Sequence, residues 1–285
     1  MLNGPCLIVL SELFLVISGM IIKLLSEQVP TGQIMLFRNV FALLMIAPWL
    51  IFYGVDAIRT QHLTLHFLRA ALGISAMGCL YYAWGHLPLA QSALLKQTAP
   101  FFIPIIAFFW LHEKLDKTIL YAILIGFIGV YFILDPQQGL INYVVLLALF
   151  GAILGSFAKV TIRKMAKTES PKLIVFYFSI FGTLFSLIPA AYNWQPITIK
   201  ALLWLLTLAV TSTIAQLLLN QAYRMSKAGL LAPFTYSSVF YAAIFGWIFW
   251  MESISLTTVI GMVLICSAGL LTLSSTRQRR VKKTL

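Results

Sequence analysis

Long apolar blocks alternate along this chain with short polar breaks, and the blocks have the length of a bilayer crossing. A hydrocarbon core of ~30 Å takes roughly 20 apolar residues in a helix. On that ruler the blocks predict spans at 4–25, 31–54, 65–86, 88–111, 117–134, 140–162, 172–192, 199–223, 229–250 and 255–275. Turn chemistry marks the breaks: Val29-Pro30-Thr31-Gly32, Leu87-Pro88, Asp135-Pro136, Ser170-Pro171 and Gln195-Pro196. The pattern predicts an all-α integral membrane protein of ten transmembrane helices.

Composition agrees, since 61% of the 285 residues are hydrophobic and only 10% charged, too apolar a balance for a water-exposed surface. The net charge of +12 resembles a nucleic-acid binder's, but its distribution argues otherwise. Arg59, Lys114, Lys117, Arg163, Lys164, Lys167, Lys172, Arg224, Lys227 and the tail from Arg277 to Lys283 all fall on one side of the predicted topology. The other side's connections offer little more than Lys200, with Lys23 near a helix end. Lys and Arg gather on the cytoplasmic side, so both termini are expected there and no nucleic-acid partner is called for. The ending Lys282-Lys283-Thr284-Leu285 also matches a dilysine retrieval pattern, but a bacterial inner membrane is the location expected.

The two halves align at a shift of about 139 residues. Phe37 falls on Phe176, Tyr82-Ala83-Trp84 on Gln221-Ala222-Tyr223, and Glu113 on Glu252. Each half then closes with a glycine-bearing span (Gly126 and Gly129; Gly261 and Gly269). Two copies, 1–137 and 138–276, with a basic tail at 277–285, are the expected organisation. Five spans per copy is an odd number, so the second copy inserts upside down, a design recurrent in secondary transporters.

Specific stretches resemble a known family. They are Phe67-Leu68-Arg69-Ala70-Ala71-Leu72-Gly73, His86-Leu87-Pro88-Leu89-Ala90, and Pro100 followed by Trp110-Leu111-His112-Glu113-Lys114-Leu115. In the second half they are Ala232-Pro233-Phe234-Thr235-Tyr236 and Gly246-Trp247 with Glu252. Over nearly its whole length the sequence is similar to the drug/metabolite transporter superfamily, in its ten-helix EamA-type branch. The resemblance implies a central cavity lined by helices one to four and six to nine, with helices five and ten peripheral. It also implies a small organic solute as cargo, amino acids and S-adenosylmethionine among those that similar members carry. Where Pro100 sits, the second half has no proline; Val239 is its counterpart.

Ionisable groups at membrane depth are costly unless paired or facing a cavity. Glu12 in the first span, Arg38 in the second and Lys96 in the fourth are expected at comparable depths. Two cations and one acid suit a zwitterionic or anionic solute: Arg38 or Lys96 would hold a carboxylate or phosphate, and Glu12 an amine or a coupling proton. A closed Glu12–Lys96 or Glu12–Arg38 pair that only pins helices uses the same residues. Arg69 and Lys159 lie near span ends and are expected to snorkel to the interface. Glu113 and Glu252 are expected to end spans or pair with nearby cations.

The eighth span carries a polar stripe of Ser212, Gln216, Asn220 and Tyr223, which faces other helices or the cavity. Its repeat counterparts are Met77, Tyr81 and Trp84, so an amide wall holding Gln216 and Asn220 would oppose an aromatic wall holding Tyr81. Pro100, Pro104 and Pro233 interrupt repeat-related helices and are candidate gating points. Gly151 and Gly155 are placed for close helix packing.

No Walker loop, G-x-S-x-G or H-E-x-x-H pattern is present; His62, His66, His86 and His112 fall at span edges or in connections, and no carboxylate motif accompanies His62 and His66. Cys6, Cys79 and Cys266 have neither metal nor disulfide spacing. No enzyme activity and no cofactor are expected. The reading is a secondary transporter in the lipid bilayer, driven by a coupling proton or an exchanged solute, with a homodimer left open. A lipid scramblase, channel or sensor of the same fold is the alternative.

Overall fold

The computed structural model describes residues 3–54, 58–111, 117–134, 143–165, 168–225, 231, 234–253 and 255–284, and among these no strand occurs. The helices are α1 (Gly4–Leu25), α2 (Thr31–Tyr53), α3 (Leu63–His86), α4 (Leu89–Lys96), α5 (Ala99–Leu111) and α6 (Lys117–Leu134). Then come α7 (Tyr143–Met165), α8 (Pro171–Tyr192), α9 (Ile199–Met225), α10 (Ser237–Trp250) and α11 (Leu256–Thr284). Seven helical stretches, with α4 and α5 taken as one, are long and apolar enough to cross a membrane. Shorter apolar helices at Leu120–Phe132, Ser237–Trp250 and Leu256–Ala268 stand where the fifth, ninth and tenth spans are expected. Ile51, Phe52, Ile188, Ile199 and Leu256 are 75–84% exposed, a surface that lipid covers and water would not.

Local chemistry starts and stops these helices. Asn3 caps α1 by accepting from the Cys6 backbone N–H (3.2 Å), and Ser170 caps α8 through the Leu173 N–H (3.2 Å). A proline in the first turn of each follows, where its missing N–H costs nothing. Within the spans, hydroxyls bond back to the preceding turn (Ser18 to the Phe14 carbonyl, Ser179 to Val175, Thr183 to Ser179), so apolar surroundings leave them satisfied.

The expected fourth span is two helices. α4 ends at Lys96, a turn at Gln97-Thr98 intervenes, and α5 starts at Ala99. Pro100 has no N–H to offer the Lys96 carbonyl four residues back, which accounts for the break. The expected tenth span, 255–275, also differs: α11 continues as helix to Thr284, through the segment expected to be a tail. Pro233, Glu113 and Lys114 lie outside the described residues.

α1 packs on α9, α3 on α7, α2 on α8, α4 on α10 and α6 on α11. If α1, α2, α3, α4 and α6 are exchanged for α7, α8, α9, α10 and α11, every one of these contacts maps onto another or onto itself. This is the contact pattern that two inverted copies of one unit make. α6 and α11 cross where a Cβ on Gly129 would stand 3.0 Å from the Gly261 carbonyl oxygen, and both helices turn apolar residues outward. α3 and α7 meet as closely: a Cβ on Gly151 would lie 2.7 Å from that of Cys79.

Candidate functional site

The antiparallel pairing of α1 with α9 sets the depth scale. Ser11 Oγ donates to the Ala215 carbonyl (2.8 Å), and Ser18 Oγ meets Thr211 Oγ1 (2.9 Å). One residue beyond Ser11, Glu12 is 3% exposed and accepts a hydrogen bond from Lys96 Nζ at 2.8 Å. Lys96 is the last residue of α4, so its charge also meets the partial negative charge of a helix C-terminus. The break in the fourth span thus places this ammonium inside the bundle, beside a carboxylate from α1.

Two further groups belong to this cluster. Lys159 of α7 is half-buried and within electrostatic reach of both Glu12 and Lys96, and Tyr223 of α9 is within reach of Glu12. Lys159 therefore does not snorkel away as expected; α7 places it within electrostatic reach of Glu12. The sequence reading missed this, because Lys159 sits near a span end on paper while α7 runs on to Met165.

Arg38 does not join the Glu12 pair. It is fully buried, donating from Nε to Ser212 Oγ (2.9 Å) and from Nη1 to Asn39 Oδ1 (2.8 Å), with the Tyr81 hydroxyl close enough to hydrogen-bond it. Tyr81 stacks loosely on Trp84, ring centroids 5.9 Å apart, and Gly19 of α1 lets the Trp84 indole close on that helix. The stripe on α9 faces inward: Ser212 and Asn220 are buried, and Gln216 Oε1 and Asn220 Nδ2 are buried without a hydrogen-bond partner. A buried amide without a partner costs free energy, which makes this wall a candidate place for a polar group to bind.

Arg69, expected at the interface, is 6% exposed, its guanidinium carbon 3.6 Å from the centroid of Phe178 on α8. The Phe178 ring closes over it. His66, one turn earlier on α3, lies 4.5 Å from the Tyr177 ring and 3.8 Å from Glu169 Oε2, and Glu169 Oε1 accepts from Thr60 Oγ1 (2.7 Å).

At the other end of the bundle Lys23 pairs with Glu252, and also donates to the Leu87 carbonyl (3.1 Å). The second Glu252 oxygen accepts from the Leu89 N–H at 2.8 Å, so one carboxylate ties α1, the start of α4 and the end of α10 together. Next to the break in the fourth span, Gln97 Nε2 donates to the Thr235 carbonyl (2.8 Å) and to Ser238 Oγ (2.7 Å). Gln97 is 1% exposed; only its place opposite Tyr236 in the repeat alignment could have singled it out. The proposed gate residues Pro100 and Pro104 lie in α5, and the backbone break beside Pro100 is the feature the structure adds to them.

A separate cleft of about 470 Å³ between α5 and α7 is lined by residues such as Phe102, Phe109, Ile153 and Phe157. It offers nothing charged, so the polar interior, and not this cleft, is the candidate site.

A bundle of this kind, with apolar helices of crossing length and charges paired in its interior, defines an integral membrane protein. The model of the EamA-like transporter family matches the chain twice, at residues 2–135 and 142–274, and the chain belongs to that family. It is 28% identical over 269 residues to the pseudopaline exporter CntI of Pseudomonas aeruginosa, covering 93% of this chain and 94% of the relative. It is 26% identical over 282 residues to the S-adenosylmethionine uptake transporter of Rickettsia prowazekii, covering 99% and 96%. To a riboflavin transporter of Vibrio cholerae it is 28% identical over 223 residues, covering 77% and 74%. A solved crystal structure shares the fold with a TM-score of 0.67 at 16% identity, over 96% of both chains. These relatives are transporters and not enzymes, as the sequence led us to expect of this chain.

Proposed function

We propose that the chain is a secondary transporter that carries a small zwitterionic or anionic organic metabolite across a bacterial inner membrane by alternating access. One observation carries the reading: Lys96, at the end of a half-helix, holds Glu12 in an interior that otherwise collects positive charge from Arg38, Arg69 and Lys159. Broken spans at the bundle centre are where secondary transporters bind charged solutes. Names of the relatives support an organic cargo, whether exported or taken up.

In this reading Arg38, Lys96 and Tyr81 meet the solute's acidic groups, and Gln216 and Asn220 meet its polar body. Glu12 takes an amine or a coupling proton, releasing Lys96 as it does so. The halves 1–137 and 138–276 rock against each other about the break near Pro100, with Pro104 and Pro233 as further gating points. Arg59, Arg163, Lys164, Lys172 and Arg224 lie at helix ends on the side of the N-terminus, which favours cytoplasmic termini. Coupling to a proton or to an exchanged solute supplies the energy, as the chain lacks a nucleotide-binding loop.

Thermal stabilisation of the purified protein by a metabolite panel tests this, because a ligand of the folded state raises its stability by mass action. A ligand that stabilises the wild type and not Lys96→Ala is the expected result. A ligand that stabilises both equally would remove Lys96 from the site.

A further inference from the structure

Phe178 carries two arginines. Arg69 Cζ lies 3.6 Å from its ring centroid and Arg38 Cζ 5.6 Å. Both are buried, at 6% and 0% exposure, and they stand close enough for their charges to repel. Among the described residues neither has a carboxylate within ion-pair distance. Arg38 has neutral partners in Ser212, Asn39 and Tyr81, and Arg69 Nε and Nη1 are buried with no hydrogen-bond partner.

A ring face offsets part of the charge of a guanidinium, but it satisfies no N–H. Buried charges are normally paired, because leaving water is expensive and the protein must return that energy in contacts. Here α2, α3 and α8 hold two planar donor forks in place with the repulsion unrelieved. Gly73, one turn beyond Arg69, lets the Phe178 ring close on α3: a Cβ there would come 2.9 Å from Phe178 Cε2. Such forks match the geometry of a carboxylate, which accepts from them in pairs.

We propose that Arg38 and Arg69, braced on Phe178, form an anion subsite that takes a carboxylate of the transported solute, separate from the Glu12–Lys96 pair. The proposal rests on the reading of the chain as a carrier of charged metabolites and sharpens it. A solute that fills both places carries at least two acidic groups, one at Lys96 and one at the arginines. A free or singly charged acid fills only one.

The test is thermal stabilisation in neutral detergent without anionic lipid, with acetate, succinate or citrate against chloride at matched ionic strength. Succinate and citrate are expected to raise the midpoint by several degrees more than acetate or chloride. Arg38→Lys and Arg69→Gln are expected to lose at least half of that shift, while the exposed Lys164→Gln keeps it. Arg69→Gln is also expected to melt higher than wild type without added anion, since it relieves an unpaired charge. A lower melting point for Arg69→Gln marks a structural cross-link and overturns the proposal. So does equal stabilisation by chloride and succinate, or displacement of the carboxylates by phosphatidylglycerol alone with no effect of either substitution. If the carboxylates bind at the arginines and no solute is ever moved, the transporter reading fails while the subsite stands.

Discussion

Gln97 donates to the Thr235 carbonyl across 2.8 Å, and with that bond the broken fourth span holds the start of the ninth. The repeat alignment sets Gln97 opposite Tyr236, so corresponding points of the two halves touch each other in the middle of the bundle. Backbone left open by a break needs partners inside a membrane, and here each half supplies them to the other.

Gln97→Leu is therefore expected to cost stability at the break and at the start of α10. It removes both bonds that Gln97 donates, leaving the Ser238 hydroxyl and the Thr235 carbonyl their bond to each other (2.9 Å), a loss of about 0.5–1.5 kcal/mol per bond. Chemical or thermal unfolding in detergent reads it directly. A melting point within error of wild type would mean that the break and the start of α10 do not depend on each other.

The Glu12–Lys96 pair separates pinning from transport. Removing one partner of a buried pair costs about 3–5 kcal/mol, whereas replacing both with apolar groups of similar size is close to neutral. Glu12→Gln and Lys96→Met should each destabilise, and the double variant should regain much of the loss. Transport should stay absent in all three. A double variant that is stable and transports would reduce the pair to a helix clamp.

At the far end, Lys23 and Glu252 close α1 against α4 and α10. Glu252→Gln is expected to loosen that closure. A cysteine at the buried Ser18 position, in a background without Cys6, Cys79 and Cys266, should then react faster with an impermeant maleimide. The direction matters: acceleration should come from the side away from the N-terminus. Unchanged labelling would show that the closure holds without this ion pair.

Gly151→Leu should act on packing alone. α3 and α7 approach there until a Cβ would sit 2.7 Å from Cys79 Cβ and 3.2 Å from the Ala76 carbonyl oxygen. Forcing a larger side chain into that seam costs typically about 1–3 kcal/mol. A melting point lowered by several degrees is expected, with whatever protein remains folded still binding its ligand at the wild-type affinity.

The spans were legible because hydropathy and length decide them almost alone, and Glu12, Arg38 and Lys96 stood out because charge is rare at that depth. Which of them would pair was not legible. That depended on the break after Lys96, which turns its ammonium toward α1, and on Ser212 and Asn39 drawing Arg38 elsewhere. Arg69 and Lys159 were misplaced for a related reason. Distance from a span end along the sequence says how far a side chain could reach toward water, but the neighbouring helices decide whether the way is open. Phe178 covers Arg69, and nothing in its own segment announces that. Gln97 carries no charge and breaks no pattern, so only the contact with the other half reveals it.

The measurement that bears most directly on the central claim is solute exchange in proteoliposomes. Labelled S-adenosylmethionine, riboflavin and succinate would be offered outside, with and without the same unlabelled solute inside. The account predicts saturable uptake of at least one of them, accelerated by the solute inside and abolished by Lys96→Ala. Uptake that rises linearly with concentration for every solute, indifferent to the inner solution and to Lys96, would contradict it.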